Sequence, residues 1–204
     1  MYNASIKITQ EMFNAAVNEV KKRSPNLRPH FTLGYLSEQD RQVIGFLGEF
    51  ACAVYFGEDW KSHIRKDYRY ADKYDLILKD KSNLSKKYKI DVKTETIPTK
   101  KILYRILNKE ICDDEPYGRR LIHKYQFENN LHNYDWVIFG AFLRPAKAQG
   151  WNPIGKEWYL IGVIETPKIL ENYKITKTSP FGVTYPEPCV NVRTSELKQP
   201  NKRR

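Results

Sequence analysis

The chain has 204 residues, and its 35 lysines and arginines exceed its 24 aspartates and glutamates, which gives a formal net charge of +11. This length suits one compact domain with its own core, and a composition of 41% hydrophobic and 13% aromatic residues excludes a disordered chain. No run approaches the roughly 18 apolar residues of a membrane span, and the polar start lacks the order of a signal peptide. We therefore expect a soluble, cytoplasmic protein that has no membrane partner.

Two further features of the composition narrow the class of protein. Cys52, Cys112 and Cys189 are odd in number and widely spaced, which argues against a disulfide framework and against a paired zinc clasp. The excess of positive charge makes nucleic acid the first partner to consider and an acidic membrane surface the second. Residues 1–198 are predicted to form a single domain with a core at about 37–165, and residues 199–204 are predicted to form a flexible basic tail.

Apolar residues at helical spacing predict two helices in the first part of the chain. The first covers residues 8–23, and Pro25 breaks its pattern. The second covers residues 37–55, where an apolar stripe follows Ser37, a favourable N-cap residue.

Later in the chain the pattern changes to short β-prone runs. These predict four strands of one sheet, at residues 74–78, 88–94, 136–143 and 158–164. Residues 98–133 are predicted to be helical or mixed, and residues 167–188 to form a short helix followed by extended chain. The expected fold is therefore α/β, with a central mixed sheet of four to five strands flanked by helices.

The second β-prone run carries an acid and a base two positions apart, Asp91 and Lys93. Because side chains alternate along a strand, Asp91, Lys93 and Glu95 are predicted to share one face that looks onto a cleft or water. Asp75 stands at the head of the preceding predicted strand. A hairpin between the two strands would bring Asp75 and Asp91 together.

A third acid lies on the second predicted helix, where Glu49 shares a face with Gly45, Gly48 and Cys52. Glycine inside a helix costs roughly 1 kcal/mol relative to alanine. Two glycines one turn apart therefore suggest that a backbone or a ligand approaches this face closely. A carboxylate among such small residues is well placed to reach a metal ion.

Glu49 on a helix, Asp75 on one strand and Asp91-x-Lys93 on the next resemble the PD-(D/E)xK nuclease superfamily, although Tyr74 stands in the place of the proline. The resemblance covers about residues 37–165 and implies a restriction-endonuclease-like core. It also implies a metal-dependent deoxyribonuclease in which Glu49, Asp75 and Asp91 hold Mg²⁺, with Mn²⁺ able to substitute. Lys93 would then assist the attacking water.

Elementary chemistry agrees with such a site. Mg²⁺ prefers hard oxygen ligands and keeps several waters, so two or three carboxylates are the expected contribution of the protein. Such an ion neutralises a scissile phosphate and supplies an acidic water, while Lys93 offsets the developing phosphoryl charge. Gln126 is a further residue that could orient a water, and Glu95 is expected to cap or to pair.

Basic residues are concentrated between positions 100 and 124, together with four acids. The predicted DNA contacts are Lys100, Lys101, Arg105, Arg119, Arg120 and Lys124. A mixed-charge, solvated pair of helices is the alternative interpretation of this segment.

The leading function is a type II restriction-type endonuclease, for which a homodimer is the simplest way to cut both strands. One alternative is a structure-selective, repair, phage or mobile-element nuclease of the same fold. The other is a non-catalytic basic module that binds nucleic acid.

Overall fold

The structure is a computed structural model that describes residues 5–23, 36–64, 75–80, 85–144 and 151–200. The helices in this part of the chain are α1 (Gln10–Arg23), α2 (Glu38–Tyr55), α3 (Lys100–Leu107), α4 (Lys124–Asn129) and α5 (Thr166–Asn172). The strands are β1 (Ser5–Lys7), β2 (Leu76–Lys79), β3 (Lys87–Ile97), β4 (Arg119–His123), β5 (Trp136–Leu143), β6 (Glu157–Glu165), β7 (Ile175–Thr178) and β8 (Thr184–Arg193). None of these helices has the length and apolarity needed to cross a membrane.

A five-stranded sheet forms the centre of the fold, with the strand order β1-β6-β5-β3-β2. β3 and β5 run parallel, whereas the other neighbours are antiparallel, so the predicted mixed sheet of four to five strands is confirmed. All four predicted strands lie in it, as β2, β3, β5 and β6. The fifth strand, β1, has three residues and is too short to show a periodicity.

A second, three-stranded antiparallel sheet has the order β4-β8-β7 and was not predicted. The residues 98–133, expected to be helical or mixed, contain α3, β4 and α4, and the predicted short helix is α5. Pro186 and Pro188 make β8 difficult to predict from the sequence, because proline is rare inside paired strands. Both prolines lie outside the positions that pair with β4 and β7, so they break no ladder hydrogen bond.

The central sheet is buried on both faces. One hydrophobic cluster joins it to α1 and α2 and includes Met12 and Phe50. A second cluster, which includes Leu103, Phe139 and Val190, joins the opposite face to α3, α5 and the three-stranded sheet. β3 therefore runs through the interior of a layered structure.

Helix α2 begins as the sequence predicts, because the Ser37 hydroxyl caps it by accepting from the Asp40 N–H at 3.0 Å. Farther along, α2 passes close to β3 at Gly48, where a methyl group would overlap the side chain of Thr94. Gly45 has no neighbour within 4 Å of the position that a Cβ would take. The predicted close approach is thus found at Gly48, where the partner is the strand that carries Asp91 and Lys93, and not at Gly45.

The end of the described chain is tied to the sheet. Val163 and Lys198 form an isolated β-bridge, and Gln199 Nε2 donates to the Ile161 carbonyl at 2.5 Å. These contacts hold the first residue of the predicted tail against β6. Residues 201–204 of that prediction lie outside the described residues.

We expect Gly48→Ala to lower the free energy of unfolding by about 1–3 kcal/mol, because overpacking at this point pushes β3 away from α2. Urea denaturation measures the change. Gly45→Ala is the matched control on the same helix and should instead raise the free energy of unfolding by about 0.5–1 kcal/mol through helix propensity. Equal effects of the two substitutions would show that α2 and β3 are not in contact at Gly48.

Candidate active site

The pairing of β2 with β3 brings Asp75 to a position opposite Asp91. Leu76 is opposite Ile90, and the Asp75 N–H donates to the Ile90 carbonyl at 3.1 Å, which continues the ladder by one step. The carboxylate of Asp75 accepts from the Val92 N–H at 2.8 Å. Asp75 is therefore held by backbone hydrogen bonds at the point where β2 begins.

Lys93 lies beside Asp91 and covers it from solvent. Its Nζ donates to Asp91 Oδ1 at 2.6 Å, and the two side chains are 27% and 1% exposed, respectively. The burial of Asp91 differs from the predicted open, charged face. The reason is that packed elements cover both faces of the sheet, so little of the surface of β3 reaches water.

The acids around Lys93 affect one another strongly. Burial, followed by the charge of Asp91, raises the pKa of Asp75 to about 7, although Lys93 and the Val92 N–H act in the opposite direction. Burial alone would lower the pKa of Lys93, but the charges of Asp91, Asp75 and Glu49 outweigh it and the pKa is raised. One lysine therefore does not fully compensate this group of acids.

One oxygen of the pair shows where a further positive charge would act. Asp91 Oδ2 is buried and has no hydrogen-bond partner among the described residues. A buried carboxylate oxygen without a partner costs free energy, and a hard cation is a suitable partner for it. Mg²⁺ is often bound through only one or two carboxylates together with substrate phosphates, so Asp75 and Asp91 fit this ion.

Glu49 acts on the site electrostatically. It is half-buried on α2, and its charge acts on Lys93 and on the buried thiol of Cys52. Burial is the largest cause that raises the pKa of Cys52, and the negative charges of Asp75 and Glu49 raise it further. In the described ranges, no three His, Cys, Asp or Glu side chains are arranged as a metal-binding group, so Glu49 does not complete a preformed set of ligands.

The predicted DNA-contact residues are placed in different environments. Lys100 and Lys101 are exposed in the first turn of α3. Three others pair with acids that are near them in the sequence: Arg105 with Glu115 at 2.5 Å, Arg119 with Asp114 at 2.7 Å and Lys124 with Glu128 at 3.7 Å. These ion pairs agree with the mixed-charge character of the alternative interpretation, although the segment consists of α3 and β4 and not of a pair of helices.

Arg120 does not suit the role predicted for it. Its side chain is 0% exposed, forms an ion pair with Glu95 and donates to the Tyr117 carbonyl. A guanidinium group buried in this way offers no surface to a phosphate. Glu95 is accordingly a partner of Arg120, and no described interaction joins Gln126 to the aspartate pair.

Arg41 was not among the predicted site residues, although it lines a cavity that borders β3. It stands on α2 four and eight residues before Gly45 and Glu49, which places all three on one face of the helix. That spacing is the signal in the sequence that could have identified it.

Comparisons of the chain with profiles of protein families, with curated protein sequences and with solved structures give no significant match. A functional assignment therefore depends on the chemistry of the site itself. Its components are the buried carboxylate of Asp91, the half-buried carboxylate of Asp75 beside it, an adjacent ammonium group and an unpaired carboxylate oxygen.

We expect Asp75→Asn to raise the free energy of unfolding at pH 7.5 in EDTA, on the order of 2 kcal/mol. Asp75 has a higher pKa in the folded chain than in the unfolded chain, where its pKa is near 3.8. The wild type therefore loses stability as the pH rises from about 4 to 7. The amide keeps the acceptor for Val92 and removes the charge. Urea denaturation at pH 5 and pH 7.5 measures the difference.

Glu171→Gln is the matched control for this change, because it removes one exposed negative charge on α5. We expect its stability to follow the wild type at both pH values within about 0.5 kcal/mol. Parallel pH profiles for wild type and the Asp75→Asn variant would contradict the raised pKa of Asp75.

We expect Glu95→Ala to lower the free energy of unfolding by about 3 kcal/mol, because it leaves the buried Arg120 without a counter-charge. The double substitution Glu95→Leu with Arg120→Met should recover most of this loss. Glu187→Ala removes an exposed acid from β8 and should change the stability by less than about 0.5 kcal/mol. A double variant that is no more stable than Glu95→Ala would show that the ion pair is not the cause.

Proposed function

We propose that the chain is a Mg²⁺-dependent deoxyribonuclease that hydrolyses phosphodiester bonds, with a restriction-endonuclease-like core. The observation that carries this proposal is the meeting of Asp75, Asp91 and Lys93 at the junction of β2 and β3, with Asp91 Oδ2 buried and unpaired within the described residues. The succession of α2, β2 and β3, followed by β5 parallel to β3, also supports it.

Asp75 and Asp91 are the residues that would hold the metal ion, with Glu49 adding negative charge from α2. When bound, Mg²⁺ or Mn²⁺ supplies positive charge to the phosphoryl oxygens and makes a nearby water more acidic. The donor set consists of carboxylate oxygens, which suits these hard cations better than it suits zinc.

The protein's own groups are positioned before a substrate arrives. The Val92 N–H holds Asp75, and the Lys93 ammonium holds Asp91, so neither carboxylate needs to be reoriented during the reaction. Its raised pKa keeps Lys93 protonated at neutral pH. Lys93 would therefore donate a hydrogen bond to a phosphoryl oxygen or to the attacking water, and would not act as a general base in this state.

The net charge of the protein indicates the class of substrate. A net charge of +11 favours a polyanion, and the exposed Lys100 and Lys101 supply two cations that can contact a phosphate backbone. A restriction-type enzyme that cuts duplex DNA is the version we propose. A homodimer would supply one site for each strand.

Incubation with supercoiled plasmid DNA tests the proposal. We expect cleavage by the wild type in Mg²⁺ and none in EDTA. Asp91→Asn and Lys93→Gln should each lower the rate about 100-fold or more, because the first weakens the binding of the metal ion and the second removes the ammonium group that would stabilise the phosphoryl charge. Lys177→Gln, an exposed lysine on β7, is the matched control for Lys93 and should cleave at the wild-type rate.

Equal cleavage by wild type and by both site variants would exclude this site as the source of the activity. Discrete fragments from long duplex DNA would support the restriction-type version. Cleavage of branched oligonucleotides alone would instead indicate a structure-selective nuclease. DNA binding without hydrolysis in Mg²⁺ or Mn²⁺ would indicate a non-catalytic module.

A further inference from the structure

A cavity of about 400 Å³ lies beside the candidate active site and takes no part in the chemistry proposed above. Residues from α2, β3, β4, β8 and the segments before β4 and after β5 line it, among them Arg41, Glu95, Tyr117, Leu121, Arg144 and Tyr185. Its volume is within the range of small-molecule pockets in proteins.

The cavity continues the line of the active site along β3. Within the described residues β2 extends only to the level of Asp91, and the following part of β3 pairs with β5 alone. Thr94, Glu95 and Thr96 of this part line the cavity. Two residues of an extended strand span about 7 Å, so Glu95 is about one nucleotide's length from Lys93.

The walls of the cavity are aromatic and apolar. Tyr117 and Tyr185 contribute rings, and Leu121, which is 46% exposed, contributes an apolar edge. The Tyr185 hydroxyl donates to Asn191 Oδ1 at 2.6 Å, which restrains its ring. Tyr117 has a φ of 67°, a left-handed conformation that is uncommon for a bulky residue. The restrained ring of Tyr185 can support a flat ligand at low entropic cost.

Polar groups of both kinds are available at the same cavity. Arg41 Nε is a buried donor that has no hydrogen-bond partner among the described residues. Glu95 accepts from Arg120 through Oε1, and no donor in the described ranges contacts its Oε2. Arg144 and Glu187 also line the cavity, so two guanidinium groups and two carboxylates lie between its apolar walls.

We propose that this cavity binds one unstacked nucleobase of the nucleic-acid substrate, next to the phosphodiester group at Asp91 and Lys93. The identity of that polymer rests on the proposed function. A nucleobase has flat faces for the tyrosines and carries both donors and acceptors on its edges. Guanine suits the pair because arginine can donate to its O6 and N7 and a carboxylate can accept from its amino group.

The charges in the cavity argue against a bare phosphate as the occupant. Arg41 and Arg144 would attract a phosphate, but the Glu95 and Glu187 carboxylates would repel it, and the apolar walls would remain without contacts. A base can accept from the arginines, donate to the acids and stack against the apolar walls. The ligand chemistry is therefore that of a nucleobase.

Isothermal titration calorimetry in EDTA tests the pocket without any catalysis. Guanosine 5′-monophosphate is the probe, and ribose 5-phosphate, which lacks the base, is its matched control. We expect the nucleotide to bind with a Kd below about 1 mM and ribose 5-phosphate to bind at least about tenfold more weakly. Equal binding of the two would identify an anion site and overturn the proposal.

Two variants locate the binding. Arg41→Gln should weaken nucleotide binding about tenfold by removing the charged guanidinium group and its bidentate geometry, and Leu121→Trp should abolish binding by filling the cavity. Leu170→Trp places the same large side chain at a 38% exposed position on α5 and should bind like the wild type. Circular dichroism confirms that each variant is folded. Wild-type affinity in both pocket variants would overturn the proposal.

The two proposals fail separately. If the plasmid is cleaved and the nucleotide shows no binding up to 10-fold above the expected Kd, the pocket proposal fails and the nuclease proposal stands. If the nucleotide binds with the expected variant profile and no DNA is cleaved, the pocket stands as a nucleotide site and the nuclease proposal fails.

Discussion

The repulsion between Asp75 and Asp91 is the constraint on which the site depends. Antiparallel pairing of β2 with β3 places the two carboxylates opposite each other, in surroundings that shield them from water. Two such acids cannot both ionise without nearby positive charge. Lys93 supplies part of it through its contact with Asp91, and the unpaired Asp91 Oδ2 marks where more is needed.

The rest of the fold holds the strand that carries this pair. On one face, α2 lies against β3, and the backbone of Gly48 is close to the Thr94 side chain. Trp158 of β6 donates to the Thr94 hydroxyl on the same strand at 3.2 Å. On the other face, the buried Arg120 of β4 pairs with Glu95 of β3. The three-stranded sheet is therefore linked to the same strand as α2, and β3 is fixed from both sides.

One face of β3 carries three charged residues that have three different surroundings. Asp91 is buried beside the opposite strand, Lys93 lies between that acid and solvent, and Glu95 neutralises an arginine while it borders a cavity. A cation site and a pocket for a flat, polar ligand are thus neighbours on a single strand. A nuclease that holds a phosphodiester group at one and a base at the other would use both.

The local sequence determined the elements on which the site is built. The Ser37 cap and the apolar stripe of α2, the four longer strands and the Asp91-x-Lys93 alternation are all short-range patterns, because helix and strand periodicity and capping depend on residues near one another in the chain. The closeness of Asp75 to Asp91 also followed from the sequence, since two successive strands commonly pair as neighbours.

Only the tertiary structure decided the burial of these groups and the identity of their partners. The ion pair of Glu95 with Arg120, the closeness of Gly48 to Thr94, the pairing of β4 with β8 and the cavity beside Arg41 all join residues far apart in the chain. Such contacts depend on how sheets and helices stack, and stacking produces no periodic pattern in the sequence. For the same reason the sequence predicted Arg120 to be a cation on the surface, whereas packing buries it in the interior.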